Sequence, residues 1–251
     1  MIIKLLSYNI RFGGVGREAL LAEVIKAIAP DVVVFQEATA PRVIEELSIA
    51  TELPFWAARQ GHSIGFMSSL EIGHYEWHRP HAAKHSYLEI VPAGSNMHIF
   101  GLHLSAMFSK WSEQRRANEI RALLKSIEKH REGFHVLTGD FNSLAPGALL
   151  DSRRMPFWIR SLIFLSGRDI RRDTITIMLD GNYLDGYRLL NPERPGYTFP
   201  TWDPHLRLDY AFIPVSFSTR LVTCDVITQP AAASLASDHF PLLIQLEMGP
   251  V

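Results

Sequence analysis

The sequence predicts an α/β chain, of the α+β kind, with a sheet core and helices outside it. Three observations carry that expectation. Runs such as Val32-Val-Val-Phe35 are continuously apolar, as in strands buried on both faces. Segments 17–29 and 112–130 place apolar residues at helical spacing along one face only. No repeat, low-complexity tract or linker breaks the 251 residues, so strands and covering helices read as one domain over 1–251.

Residues 2–8 are apolar and β-prone and form a strand that ends at Asn9, Arg11 and the Gly13-Gly14 loop. Helix 17–29 carries Leu20, Leu21, Val24, Ile25 and Ile28, and Pro30 stops it. Strand 31–35 runs into Gln36-Glu37, and a short helix covers 41–49. Segments 63–68 and 86–91 read as strands with a polar, histidine-bearing stretch between them. Segment 97–104 alternates into a strand that carries His103 at its end. Helix 112–130 lines Ala117, Ile120, Leu124 and Ile127 on one face. A buried strand at 134–137 follows and runs into a glycine turn. Residues 146–180 are the least regular, and strands are expected at 197–199, 206–213, 220–227 and 240–246.

Composition narrows the classes. A net charge of −1 excludes a bulk polycation, so nucleic-acid binding would need a local basic patch. The single cysteine, Cys224, excludes an internal disulfide or a cysteine metal cluster, and suits a reducing, cytoplasmic setting. The first residues enter a strand at once, without a signal-peptide pattern, and no apolar run reaches membrane-spanning length, about 18 residues.

Polar clusters follow or interrupt the strand-like runs: Tyr8-Asn9, Gln36-Glu37, Gly101-Leu-His103, Gly139-Asp-Phe-Asn142 and Ser237-Asp-His239, with Arg207-Leu-Asp209-Tyr210 inside a strand. Charged groups are rarely buried without partners. Asp140 and Asn142 stand two apart, so extended backbone points both the same way, with Phe141 opposite. A carboxylate and a carboxamide there make a hard-oxygen site suited to a divalent cation or a polarised water. Each cluster also has a plainer reading: Asn9 as a turn cap, Glu37 as a surface charge, Asp140-Phe-Asn142 as an Asx turn. Jointly, chance placement is hard to sustain.

This ordered set is similar to that of the endonuclease/exonuclease/phosphatase superfamily, which includes pancreatic-type deoxyribonucleases, repair nucleases, sphingomyelinases and inositol-polyphosphate 5-phosphatases. The match runs from residue 3 to 246. The resemblance implies a four-layer sandwich, two mainly antiparallel β-sheets face to face with helices on the outer faces. It implies a divalent-metal phosphoester hydrolase using Mg2+ or Mn2+. Glu37 matches the principal metal ligand, with Asn9 and Asp238 as further metal-side groups. Asp140 matches the carboxylate that orients or deprotonates water, and Asn142 a group holding the nucleophile and a phosphate oxygen. His239 matches the histidine at the scissile phosphate, and Asp209 the carboxylate that fixes its ring. His103 matches the phosphate-contact or acid histidine of the deoxyribonuclease, sphingomyelinase and 5-phosphatase branches; exonuclease III-like repair enzymes lack it.

Other residues stay open. Arg207 either touches phosphate or braces a sheet edge, and Arg11 is a further phosphate candidate. Residues 146–180 fall where the superfamily varies substrate recognition. Arg153, Arg154, Arg160, Arg168, Arg171 and Arg172 stand there with Phe157, Trp158 and Phe164 between them. That pattern suits phosphate contact with base stacking, a lipid surface, or a helix whose arginines face water. Lys110 and Trp111 either line the same cleft or sit on a surface loop. His74, His78, His81 and His85 have spacings a helix could turn into a zinc site, but Pro80 breaks such a helix, leaving a loop or strand pair near the cleft. The expected activity is a DNA endo- or exonuclease with nucleic acid as substrate and no stable protein partner. The alternatives are a phospholipid- or sphingomyelin-type phosphodiesterase, a phosphomonoesterase, or a binding protein that lost catalysis.

Overall fold

A computed structural model describes residues 1–249 except 82, 108, 149–150, 156 and 166–170, and of 152, 162, 163 and 165 the backbone alone. Arg168 therefore lies outside the described residues. The chain runs β1 (Ile2–Asn9), α1 (Glu18–Ile28), β2 (Val32–Gln36), α2 (Pro41–Thr51), β3 (Phe55–Ala57), β4 (Ile64–Ser68), β5 (Ile72–His78), β6 (Tyr87–Pro92), β7 (His98–His103) and α3 (Lys110–Ser126). It continues through β8 (His135–Asp140), α4 (Phe157–Leu165), α5 (Asp173–Asp180), β9 (Tyr183–Asp185), α6 (Gly186–Leu190), β10 (Asp209–Pro214), β11 (Leu221–Val226), α7 (Ala233–Ala236) and β12 (Leu242–Glu247).

Two six-stranded sheets result, ordered β11-β12-β1-β2-β4-β3 and β5-β6-β7-β8-β10-β9. Only β1/β2 and β7/β8 are parallel; the other pairs are antiparallel. Each parallel pair needs a crossover, and α1 and α3 lie in these two connections. Between the sheets lies a core of Val34, Ile64 and Ile244 from one and Leu88, Ile99 and Val136 from the other. Leu21, Val24 and Ile44 of α1 and α2 cover the first sheet's outer face, and Ile120, Leu123 and Ile175 of α3 and α5 cover the second's. This is the expected four-layer sandwich.

Local chemistry explains the elements. All five residues of β2 are buried, as its unbroken apolar run requires. At the start of α3, Ser109 and Ser112 cap each other reciprocally. Among the described residues, no helix is long and apolar enough to cross a membrane.

Of the loop or strand pair left open for the histidine-bearing stretch, the structure shows the strand pair: edge strand β5, carrying His74 and His78, pairs with β6, and His81 and His85 lie between the two. Elsewhere the structure departs from the sequence reading. Residues 197–199 form only an isolated bridge, Phe199 with Leu206, because Pro195, Pro200 and Pro204 cannot donate to a ladder. Within 146–180, α4 and α5 are regular helices. The central strand continues to Asp140, so Gly139 is no turn residue. At φ 145°, a Cβ on Gly139 would fall 1.9 Å from the Leu102 carbonyl oxygen of the paired strand.

Gly139→Ala should therefore force β7 and β8 apart. Urea unfolding should show a loss of about 3 kcal/mol or more. A loss under about 1 kcal/mol would mean the strands can separate without damage.

Candidate active site

The parallel pairs carry the C-terminal ends of β1, β2, β7 and β8 to one edge of the sandwich. Register does the rest. Asp140 is paired with His103 on one side and Asp209 on the other. Asp238 and His239 immediately precede β12, which pairs with β1.

Asp140 is the hub, at 1% exposure. Asn9 crosses from the other sheet and donates Nδ2 to Asp140 Oδ2 at 3.1 Å. Asn142 donates its backbone N–H to Oδ1 at 2.8 Å and its Nδ2 to Oδ2 at 3.0 Å. Asn142 sits at φ 50°, so a left-handed turn aims its amide, in place of the extended alternation expected. Histidine Nε2 atoms stand at 3.7 Å (His103) and 3.9 Å (His239) from Asp140 Oδ2.

His239 Nδ1 lies 2.8 Å from Asp209 Oδ2, and the ring packs on Phe199. Burial alone would lower the His239 pKa, but the buried Asp209 carboxylate, by charge and by hydrogen bond, outweighs it and lifts it to about 10. Burial pushes the Asp140 carboxyl upward, and charge on His239 offsets part of that. His103 is different. Burial, then His85 stacked 5.3 Å away, lowers its pKa to about 3, so it is neutral. That suits a neutral N–H donor to phosphate better than a charged acid.

Glu37 sits at φ 58° just after β2, and its Oε2 accepts the Phe12 N–H at 2.5 Å. Arg11 pairs with Asp238, Nε to Oδ2 at 3.3 Å. Asn9 Oδ1 already accepts the Arg11 N–H at 3.0 Å, which makes Asn9 a partner of Asp140 more than an open metal ligand. The donor set still fits a hard divalent cation. Glu37, Asp140, Asp209 and Asp238 all offer carboxylate oxygens, with Arg11 and His239 as the paired cations, and no thiolate is among these strand-end donors.

Arg207 is 6% exposed and grips both oxygens of Asp185, at 2.8 and 2.5 Å, over the Tyr210 ring. It braces the sheet, and the phosphate-contact reading is withdrawn. Trp111 is exposed on the first turn of α3, and Arg153 donates its backbone N–H to Asp151 Oδ1 at 3.0 Å. Arg154 pairs with Asp203, beside the exposed Trp202 that packs on Phe199. Sequence reasoning passed over this aromatic rim, Phe12 and Trp202. It named His85 only in the zinc-like spacing, and did not single out Ser237, whose Oγ–H donates to the Asn9 carbonyl at 2.6 Å. The Ser237-Asp-His239 motif was the signal for Ser237; the rim is non-local.

Two face-to-face sheets with carboxylates, amides and a charged His–Asp pair at the strand ends define a phosphoester hydrolase of the sandwich class. The chain belongs to the Endonuclease/Exonuclease/phosphatase family, whose sequence profile matches residues 6–239. Solved structures share the fold. An AP endonuclease from Archaeoglobus fulgidus has a TM-score of 0.73 at 16% identity, covering 98% of this chain and 100% of that one. The Neisseria meningitidis 3'-5' exonuclease NExo gives 0.69 at 17%, covering 98% and 100%. Humanized D. rerio TDP2 gives 0.68 at 18%, covering 98% and 99%. No curated protein sequence matches the chain significantly.

Arg207→Ala should leave Asp185 buried and unpaired, costing about 3–5 kcal/mol in urea unfolding. Turnover of the folded fraction should stay within a few-fold. A selective rise in KM with intact stability would restore the phosphate-contact role.

Proposed function

We propose that the chain is a divalent-metal-dependent phosphodiester hydrolase that cleaves DNA, using Mg2+ or Mn2+. The observation that carries the chemistry is the buried Asp140, bonded by two amides and flanked by the His239–Asp209 pair. A cation held by Glu37 and Asp238 would offset the charge of the phosphate and the nucleophile. Asp140, raised by burial, is suited to orient a water and accept its proton. Asn9 and Asn142 fix its oxygens. His239 stays charged and donates to the phosphate, with Asp209 holding its ring. His103 adds a neutral donor, and Arg11 can turn from Asp238 to a phosphate oxygen. A single, buried cysteine, Cys224, suits a reducing, cytoplasmic setting.

DNA as substrate draws support from the rim. Phe12 is 75% exposed beside Glu37, and Trp202 is 67% exposed one ring away from His239. Aromatics at a phosphate site can stack on unpaired bases. Arg154, within the expected recognition segment, pairs with Asp203, the residue after Trp202. A second reading rests on α4, whose Phe157 and Trp158 are 79% and 54% exposed, as a lipid-facing helix would need.

The deciding experiment is hydrolysis of circular and linear DNA with and without Mg2+, beside phosphatidylcholine and sphingomyelin vesicles. Chelator-sensitive DNA cleavage is expected, and nicking of circular DNA would mean an endonuclease. Degradation of linear DNA alone would mean an exonuclease, and headgroup release without DNA cleavage would overturn the nuclease reading.

Glu37→Ala should abolish turnover, and His239→Ala should lower it by about 10²-fold or more. Normal turnover in either would remove that residue from the mechanism. The pH profile has a defined sign. A raised His239 pKa keeps the charged form below about pH 10, so the alkaline limb of activity should lie on that side, while protonation of Asp140, whose carboxyl is raised by burial, should set an acid limb. In Asp209→Asn the main raising partner is gone, and the alkaline fall should move to lower pH. An unmoved limb would assign it to another group.

A further inference from the structure

A second cluster of ligating side chains lies on the outer face of the second sheet, under the end of α3. Glu89 comes from β6, His98 from β7, and His130 from the short turn Glu128–His130 after α3. His98 and His103 are five residues apart on one strand, roughly 17 Å at about 3.3 Å per residue. The cluster is therefore not part of the catalytic edge.

Its geometry is unusual for a hydrogen-bond network. Glu89 is 4% exposed. Its Oε1 lies 2.7 Å from His98 Nδ1, and its Oε2 lies 2.7 Å from His78 Nε2 of β5. His130 Nε2 lies 3.4 Å from the same Oε1, buried and with no hydrogen-bond partner. The His98 and His130 rings are 4.0 Å apart, centroid to centroid. Ligand atoms of Glu89, His98 and His130 all lie within 4.8 Å of one another. A ring nitrogen lone pair facing a carboxylate oxygen at this distance is repelled unless a cation lies between them. If the nitrogen carries a proton instead, its line to Oε1 is too poor for a hydrogen bond.

We infer that Glu89, His98 and His130 form a second metal site, for a zinc-class divalent cation. Two imidazoles and one carboxylate are a three-ligand zinc set that leaves a fourth position for water. Tetrahedral bonds of about 2.0–2.1 Å space ligand atoms by about 3.3 Å. The 2.7 and 3.4 Å separations bracket that spacing, so small side-chain shifts complete the site. His78 holds the other Glu89 oxygen and acts as a positioning residue. The fourth position faces a cleft of about 400 Å³ bordered by Trp77, Arg79 and Lys129. The ion would pin the turn after α3 to β6 and β7. Nitrogen donors separate this site from the oxygen-rich catalytic one and favour zinc over magnesium. The inference does not depend on the hydrolytic reading.

The test uses the full chain carrying Glu37→Gln, to weaken the catalytic site, stripped of metal and dialysed against Zn2+ in excess Mg2+ at pH 7.5. One zinc per chain should remain bound. Co2+ in its place should give the visible absorption of a four-coordinate N/O site. His130→Ala, in a turn whose Glu128 and Lys129 are exposed, should weaken zinc binding by at least about 100-fold, and His78→Asn by about 10-fold. Zinc binding should also raise Tm in the parent and not in His130→Ala. Absence of stoichiometric zinc, displacement by Mg2+, or equal affinity in a folded His130→Ala protein would each overturn the site.

Discussion

The bond from Asn9 to Asp140 crosses the sandwich, and the site depends on it. The two residues are 131 apart in sequence and belong to different sheets. A carboxylate at 1% exposure must be compensated, because burying an unpaired charge costs far more than the roughly 2–7 kcal/mol of an unpartnered amide or hydroxyl. Asp140 takes partners from both sheets, so satisfying it fixes how the sheets meet at this edge. Packing inside permits that close meeting: a Cβ on Gly101 of β7 would lie 2.4 Å from Val34 of β2. The dipoles that serve a reaction are thus already oriented by the requirements of folding.

The same edge shows how one fold holds imidazoles in different protonation states. His103 and His239 flank the same Asp140 oxygen at similar distances. Both are buried, and burial disfavours charge on each. His239 has Asp209 against Nδ1, whereas His103 Nδ1 has no hydrogen-bond partner among the described residues and its ring lies on another imidazole. One carboxylate therefore separates a charged donor from a neutral one. Asp140 is pushed toward accepting a proton while His239 holds one, an arrangement in which acid and base roles do not exchange.

Much of this was legible in the sequence because the site residues sit at the ends of strands whose apolar runs are strong. Val32-Val-Val-Phe35 announces β2, and Glu37 follows from its end. The aim of Asn142 was predicted on the wrong backbone: extended alternation and a left-handed turn bring the amide to the same side, so the outcome was right and the reason was not. Gly139 reads as a turn in one dimension, and only the neighbouring Leu102 carbonyl shows it to be a strand contact. Arg207 could not be assigned because its partner Asp185 lies on β9, a strand too short to show a pattern. The Glu89, His98 and His130 grouping was hidden for the same reason: three elements supply it, and no local spacing joins them. His78 caught notice in a run of histidines, yet its partner is Glu89 across the ladder and not another histidine.

Charge bears on how such a site would meet a polyanion. Two cations at the catalytic edge already hold carboxylates: Arg11 holds Asp238, and Arg154 holds Asp203. A phosphate that takes either guanidinium replaces an internal anion, so the net charge neutralised is small. Counterion release, which drives binding to strongly basic grooves, is correspondingly weak for a chain of net charge −1. Affinity then has to come from elsewhere, and Phe12 and Trp202 are the exposed groups positioned to provide it by stacking. Stacking requires faces that are free, as they are at ends, nicks and unpaired segments and are not inside an intact duplex. Under the proposed function, this edge would favour phosphodiesters beside unstacked bases, with Phe12 and Trp202 offering stacking faces next to the Asp140 cluster.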